Sequence, residues 1–213
     1  MVYSHNRYGY YVRSRAVPTN PNTSRQQAVR LAIQTLAQRW SAQLSDAQRS
    51  AWNTYGDNVS VLDKIGNAIN LSGFNWYVGN NALIDQLGGT YVDDGPVIFT
   101  RAESDTTFNP STSEATQLIS VAFDTGLDWV GEDGAYMAIF MSIPQGEGRT
   151  YLLPRFRFAG QIDGDSVTPP TSPQTISVPW AVTEDQKTLV QGRIVRADGR
   201  TSPPFLSTVP VAA

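Results

Sequence analysis

The apolar residues of this chain change their period once, near residue 90, and that change limits the folds open to it. Before it, Val29, Ile33, Leu36 and Trp40 recur at the spacing of a helix face, and Phe74, Tyr77, Val78, Leu83, Ile84 and Leu87 do so again. After it, the runs TQLISVAFD, AYMAIFMSIP, RFRFAGQID, QTISVPWAV, TLVQGRIVRAD and FLSTVPVAA read as strands, bounded by turn clusters such as GEDG and QGEG. Helices first and strands second is an α+β plan, not an alternating α/β one.

Local signals divide the chain further. Residues 1–22 read as an extended arm, because Pro18 and Pro21 bias Val17 and Asn20 away from helix. Fully extended, such an arm spans about 70 Å at about 3.3 Å per residue. Residues 23–89 read as a helical module with a small β-hairpin. Thr23 with Gln26, or Ser24 with Gln27, forms a capping box for its first helix. Ser45 with Gln48 opens a second helix, which Gly56 is expected to stop. The two should pack as an αα-hairpin held by Trp40 and Trp52. VSVLDKIGNAINL is a hairpin turning at Gly66-Asn67, and a third helix runs from Ser72 to Gly88-Gly89. Residues 90–115, rich in Gly, Asp, Ser, Thr and Pro, read as a linker. Residues 116–213 are expected to form an immunoglobulin-like antiparallel β-sandwich, with Val190, Gly192 and Ile194 facing inward on one strand and Gln191, Arg193 and Arg196 on its other side or at its end.

Composition excludes several classes. A chain of 213 residues with 40% hydrophobic and 16% charged residues buries a core. No run of about 18 apolar residues is present, and the N-terminus lacks the apolar stretch of a secretory leader, so synthesis and retention in the cytosol are expected. With no cysteine, disulfides, thiolate nucleophiles and cysteine metal sites are ruled out. The net charge of −3 conceals an asymmetry: no acidic residue precedes Asp46, whereas Arg7, Arg13, Arg15, Arg25, Arg30 and Arg39 do. Two surfaces of opposite sign imply two kinds of neighbour.

Catalytic chemistry finds little support. The single histidine, His5, lies in the arm, where no rigid pocket orients it. The acidic turns at Glu132-Asp133 and Asp163-Gly164-Asp165 lack the ligand spacing of a calcium loop and read as solvated turns. GEGR at 146–149 lies between strands, where a hairpin turn suits it better than a phosphate cradle. No enzyme activity, cofactor or metal is expected.

The arm is the informative segment. Tyr8, Tyr10 and Tyr11 interleave with Arg7, Arg13 and Arg15. Three readings fit: arginines on phosphates with tyrosines on bases, docking on another protein, or folding back on the chain's own helices. The acidic balance of the whole chain favours protein docking over nucleic acid, with those six residues as the contacts. NRYGYYVRSRAVPTNPNTSRQQAVR, followed by LSDAQRSAWNTY and LSGFNWYVGNNALI, resembles a family of tailed-bacteriophage proteins. The resemblance covers roughly residues 5–87 and brings no catalytic residues with it. It implies a virion structural protein whose partners are capsid, portal-neck or tail subunits, with further copies of itself in the assembly. A rival reading is a carbohydrate- or receptor-binding tail module using Trp129, Tyr136, Tyr151 and Trp180.

Overall fold

The computed structural model describes residues 1–213 except Ala16 and Pro18; the backbone bias expected of Pro18 therefore lies outside the described residues. The chain opens with a hairpin, not a single extended arm. β1 (Val2–Asn6) pairs antiparallel with β2 (Gly9–Arg13), so the Tyr-rich segment folds back on itself. Arg7 and Tyr8 form the two-residue turn, and Gly9, at φ +120°, takes the conformation that a side chain would resist.

α1 (Ser24–Ala42) starts at Thr23, whose hydroxyl accepts from Gln26 N while the Gln26 side chain accepts from Thr23 N. α2 (Asp46–Asn58) repeats this box with Ser45 and Gln48. Substituting such a cap typically costs about 1 kcal/mol. Gly56 does not end α2, which runs two residues further. A Cβ at Gly56 would lie 2.5 Å from Leu71 O, so this glycine permits close approach of the chain entering the next helix. Between them, β3 (Ser60–Leu62) and β4 (Ala68–Asn70) form the expected small hairpin. α3 (Gly73–Gln86) is capped by Ser72 and closed by Gly88 at φ +72°.

The first two helices do not pack as a self-contained hairpin. α3 lies against both, and Trp40 meets Phe74 of α3 edge-on and Tyr77 of α3 at a tilt. Leu36, Leu44, Trp52, Tyr55, Val59, Trp76 and Tyr77 form one buried cluster. Edge-to-face pairs join Trp52 to Tyr55 and Tyr77, and Tyr55 to Trp76. Each such pair contributes about 0.5–1.5 kcal/mol beyond area burial.

The segment expected to be a linker is a strap. Asp93 pairs with Arg39 at 2.5 Å, accepts from the Tyr77 hydroxyl at 3.0 Å, and its carbonyl accepts from the Trp52 indole at 3.0 Å. Asn81 brackets Val92 with two further bonds. The composition looked loose because the segment makes its bonds through backbone and short polar groups.

Burial raises two phenols in this module. Tyr55 is pushed up to about 12, chiefly by burial, against the lowering effect of Arg200 and Arg101. Tyr77 is likewise pushed up to about 12 by burial, with Arg39 lowering it and Asp93 raising it. A phenol raised above its unfolded value of 10.0 binds its proton more tightly when folded. Its contribution is complete below pH 10 and is lost as pH rises toward 12. Unfolding free energy measured by urea titration should therefore hold to pH 9 and fall by about 2–3 kcal/mol per tyrosine toward pH 12. Tyr77→Phe should flatten part of that fall, and an unchanged slope would refute the buried placement of this phenol.

The second half is a sheet of eight strands. They are β5 (Asn109–Ser113), β6 (Leu118–Ala122), β7 (Tyr136–Ser142), β8 (Gln145–Gly146), β9 (Phe156–Asp163), β10 (Gln174–Ser177), β11 (Gln186–Val195) and β12 (Phe205–Ala212). All six expected strands are present, with β5 and the short β8 in addition. The order is β10-β6-β5-β12-β11-β7-β9, with β8 beside β11. All pairings are antiparallel except β12 with β5, which is parallel at Val211 and Ala212, so the sheet is mixed. It curls until Gly160 of β9 lies against Ile176 of β10, leaving it nearly barrel-like. Its inner face holds one core, including Ile119, Val121, Met137, Ile139, Met141, Val190, Ile194 and Val209.

The two halves share a boundary core. Leu83 and Ile84 of α3 bury against Ala138 of β7 and Val195 of β11, with Phe140, Phe158 and Tyr136 around them. Polar groups reinforce the contact: Thr201 donates to Asn80 Oδ1 at 3.0 Å, and Arg101 donates to Ser202 O at 2.8 Å. The outer face of β7 and β11 is covered by helix, which the alternation within these strands did not indicate.

Candidate docking surface

The hairpin register sorts the arm residues onto two faces. Tyr3 pairs with Val12 and His5 with Tyr10 on one face; Ser4 pairs with Tyr11 and Val2 with Arg13 on the other. Tyr8 and Tyr10 are 81% and 95% exposed, and Tyr3 is 77% exposed, so the aromatic face has no cover from its own chain. Arg7 donates to the Tyr8 hydroxyl and stacks on its ring at 4.8 Å, which shapes the tip. Five of the six expected contact residues are thus brought to one element, on its two faces and tip, while Arg15 lies two residues beyond it. Tyr11 is more covered than Tyr10, and the exposed Arg13 and Arg15 lead back toward the helices. Isolated two-stranded hairpins are marginally stable in water, and this one packs almost entirely on itself.

A second exposed element follows directly. The first half of α1 overhangs the body: Val29, Leu31 and Ile33 are exposed, and Leu36 is the first buried residue of the helix. Arg30 reaches back to Asn20 Oδ1 and Asn22 Oδ1, both at 3.1 Å, and fixes the approach to the helix. The stripe Val29, Ile33, Leu36, Trp40 is real, but only its second half finds a partner within the chain. Beneath the overhang runs a groove of about 560 Å³ whose lining includes Ala32, Leu83, Phe140, Phe156, Arg25 and Arg193. Burial, with Arg101 nearby, pulls the Arg193 guanidinium below its usual range.

Exposed apolar side chains continue around α2. The β3–β4 hairpin presents Leu62, Ile65 and Ile69, and the strap presents Val97, Ile98 and Phe99. Both elements rest on α2: Asn70 donates to Asp57 O, and Gly95 abuts Ala51 and Trp52. This region was missed from the sequence. VLDKIGNAI alternated as a hairpin should, but nothing local shows which face lacks a cover.

The remaining candidates resolve differently. His5 lies 5.9 Å from the Tyr10 ring on the exposed hairpin. The acidic turns are occupied by protein donors: Asp165 accepts from Val167 N and Thr168 N, Asp133 from Ser166, and Glu132 from Arg196. Among the described residues no group of three or more metal-ligating side chains occurs. Among the described residues no helix is long and apolar enough to cross a membrane. Of the four aromatics that would serve a sugar platform, Trp129 is buried in the core. Tyr136 packs under α3, and Trp180 packs on the core with Arg157 over its ring at 4.7 Å. Tyr151 alone of these is exposed.

No family model and no curated protein matches the chain. Two solved structures share a partial likeness. The adhesin domain of Epf from Streptococcus pyogenes matches at 11% identity and TM-score 0.35, covering 54% of this chain and 34% of that one. A family 76 glycoside hydrolase from a bovine Bacteroides thetaiotaomicron strain matches at 11% identity and TM-score 0.33, covering 51% and 20%. The chain thus spans about a third of the first and a fifth of the second, and likeness at this level carries no argument about function.

Proposed function

We propose that this protein is a structural subunit of a tailed-phage particle, docking on neighbouring subunits through its N-terminal hairpin and the overhang of α1. Its place would be that of a capsid decoration protein or a head–tail accessory, made in the host cytoplasm and carried into the virion. One observation carries the docking part of the reading. Of the large apolar side chains that stand exposed among the described residues, seventeen precede residue 100 and five follow it. Scattered apolar exposure is normal on any protein, but concentration on one half marks an interaction surface. The phage setting rests on the sequence resemblance over residues 5–87. The immunoglobulin-like plan for the strand half belongs to the same proposal, as a module displayed outward from the docked half.

The decisive experiment is deletion of residues 1–22. The hairpin contributes little to the buried clusters, so the truncated chain should keep its far-UV spectrum and melting temperature. Its incorporation into purified particles should be lost. Truncated protein present at normal copy number would refute docking through the hairpin. Tyr10→Ala is the milder form: a hot-spot tyrosine at a buried anchor costs about 2 kcal/mol of binding.

A further inference from the structure

Two exposed surfaces of the helical half are complementary in charge as well as in apolar character. The protruding surface, the hairpin and the overhang of α1, carries Arg7, Arg13, Arg15, Arg25 and Arg30 and no carboxylate. The surface around α2 carries the opposite sign. Residues 46–99 hold Asp46, Asp57, Asp63, Asp85, Asp93 and Asp94 against Arg49 and Lys64. Asp93 is paired with Arg39 and Asp46 with Arg49, and Asp85 lines the groove beneath α1, which leaves Asp57, Asp63 and Asp94 to set the sign around α2. Asp57 and Asp94 are exposed, Asp57 adjoining the base of the β3–β4 hairpin through Asn70 and Asp94 preceding the exposed Val97, Ile98 and Phe99 of the strap. Backbone N–H groups of Asn67 and Ile65 hold the Asp63 carboxyl below its ordinary range, so it also stays charged.

We propose that the occupant of the acidic surface around α2 is the basic protrusion of a second copy of this chain, in head-to-tail contact. The proposal rests on the docking reading above and supplies its partner. Pairing of one protrusion with another is disfavoured, since it would set five arginines against five with no carboxylate between them. Protrusion on α2 surface matches both sign and apolarity. Because the two surfaces differ, the contact is heterologous, so each copy uses one and offers the other. Such a contact propagates into a ring if its rotation closes and into a filament if it does not. It would also cover the aromatic face of a hairpin that its own chain leaves open.

A charge-swap pair tests this with the full chain. Sedimentation velocity over about 1–100 μM at low salt should show the natural protein associating beyond a dimer, an affinity range within reach of such an interface. Arg13→Glu with Arg15→Glu makes the protrusion acidic; Asp57→Lys with Asp94→Lys makes the α2 surface basic. Each variant alone should sediment as a monomer over the lower part of that range, with affinity weakened at least about tenfold. Mixed in equal amounts, the two should recover association, because each altered surface then meets its complement. All four positions are solvent-exposed, and recovery on mixing shows that the variants are folded. A natural protein that stays monomeric throughout, or variants that associate as it does, would overturn the second-copy contact. So would a mixture that stays monomeric. If the natural protein is monomeric while deletion of residues 1–22 still blocks incorporation, the docking reading stands and its partner is a different protein.

Discussion

Trp52→Ala is expected to remove roughly 3–5 kcal/mol of stability, the range for deleting a buried tryptophan. Trp52 is 0% exposed at the centre of the helical half, with its ring against Tyr55 and Tyr77. Its indole N–H donates to Asp93 O, so truncation also removes one of the bonds that hold the strap at Asp93, leaving those from Arg39 and Tyr77. The ring also lies close to the loop before β12: a Cβ added at Gly199 would come within 3.5 Å of Trp52 Cη2. The tryptophan is therefore a junction between helix, strap and sheet. Against a typical total of about 5–15 kcal/mol, the loss leaves a chain near its folding threshold. Urea denaturation followed by far-UV circular dichroism gives the number. Tyr10→Ala, at a side chain 95% exposed, is the control and should shift the midpoint negligibly. A Trp52→Ala loss below about 1 kcal/mol would contradict the packing.

What was legible in the sequence was mostly local. The capping boxes at Thr23 and Ser45 are contained within four residues, and the structure uses both. The six apolar strands announced themselves because each carries its own core-facing residues. β5 did not: NPSTS is polar, and its pairing with β6 and β12 is decided by distant residues. Pro110 argues against a central strand, yet is tolerated because β12 reaches only Thr112 and Ser113, leaving Pro110 without a neighbour on that side. Gly56 misled for a related reason: a glycine near a helix end signals a stop, whereas here it serves a crossing with residues 71–73 that no local pattern reveals. The same limit applies to the candidate surface. Interleaved Tyr and Arg singled out the first 15 residues, but alternate pairing into a hairpin, and the lack of cover on Val29 and Ile33, depend on where the rest of the chain lies.

The two halves are expected to unfold together, and a fragment of residues 109–213 is expected not to fold on its own. Reading residues 90–115 as a linker made the strand half an independent domain; the boundary core removes that independence. Without α3, Ala138 and Val195, both 0% exposed in the whole chain, face water together with Phe140 and Phe158. Losing Leu83 and Ile84 alone forfeits about 1.5–3 kcal/mol for each buried side chain. Polar losses add to this. Thr201 loses Asn80, and the Ser202 carbonyl loses Arg101. Arg193, already disfavoured by burial, keeps Thr201 Oγ1 at 3.3 Å as its side-chain partner. An exposed apolar face on a curled sheet also favours association of fragments over correct closure. Calorimetry of the full chain should give one transition with equal calorimetric and van't Hoff enthalpies. The fragment should show no cooperative melt, or should aggregate. Leu83→Asp in the full chain tests the same boundary without truncation and should lower stability by at least about 3 kcal/mol, since it buries an unpaired charge against the sheet. A fragment that melts sharply near the temperature of the whole protein would show that the sheet closes without its helix, and would restore the independent domain.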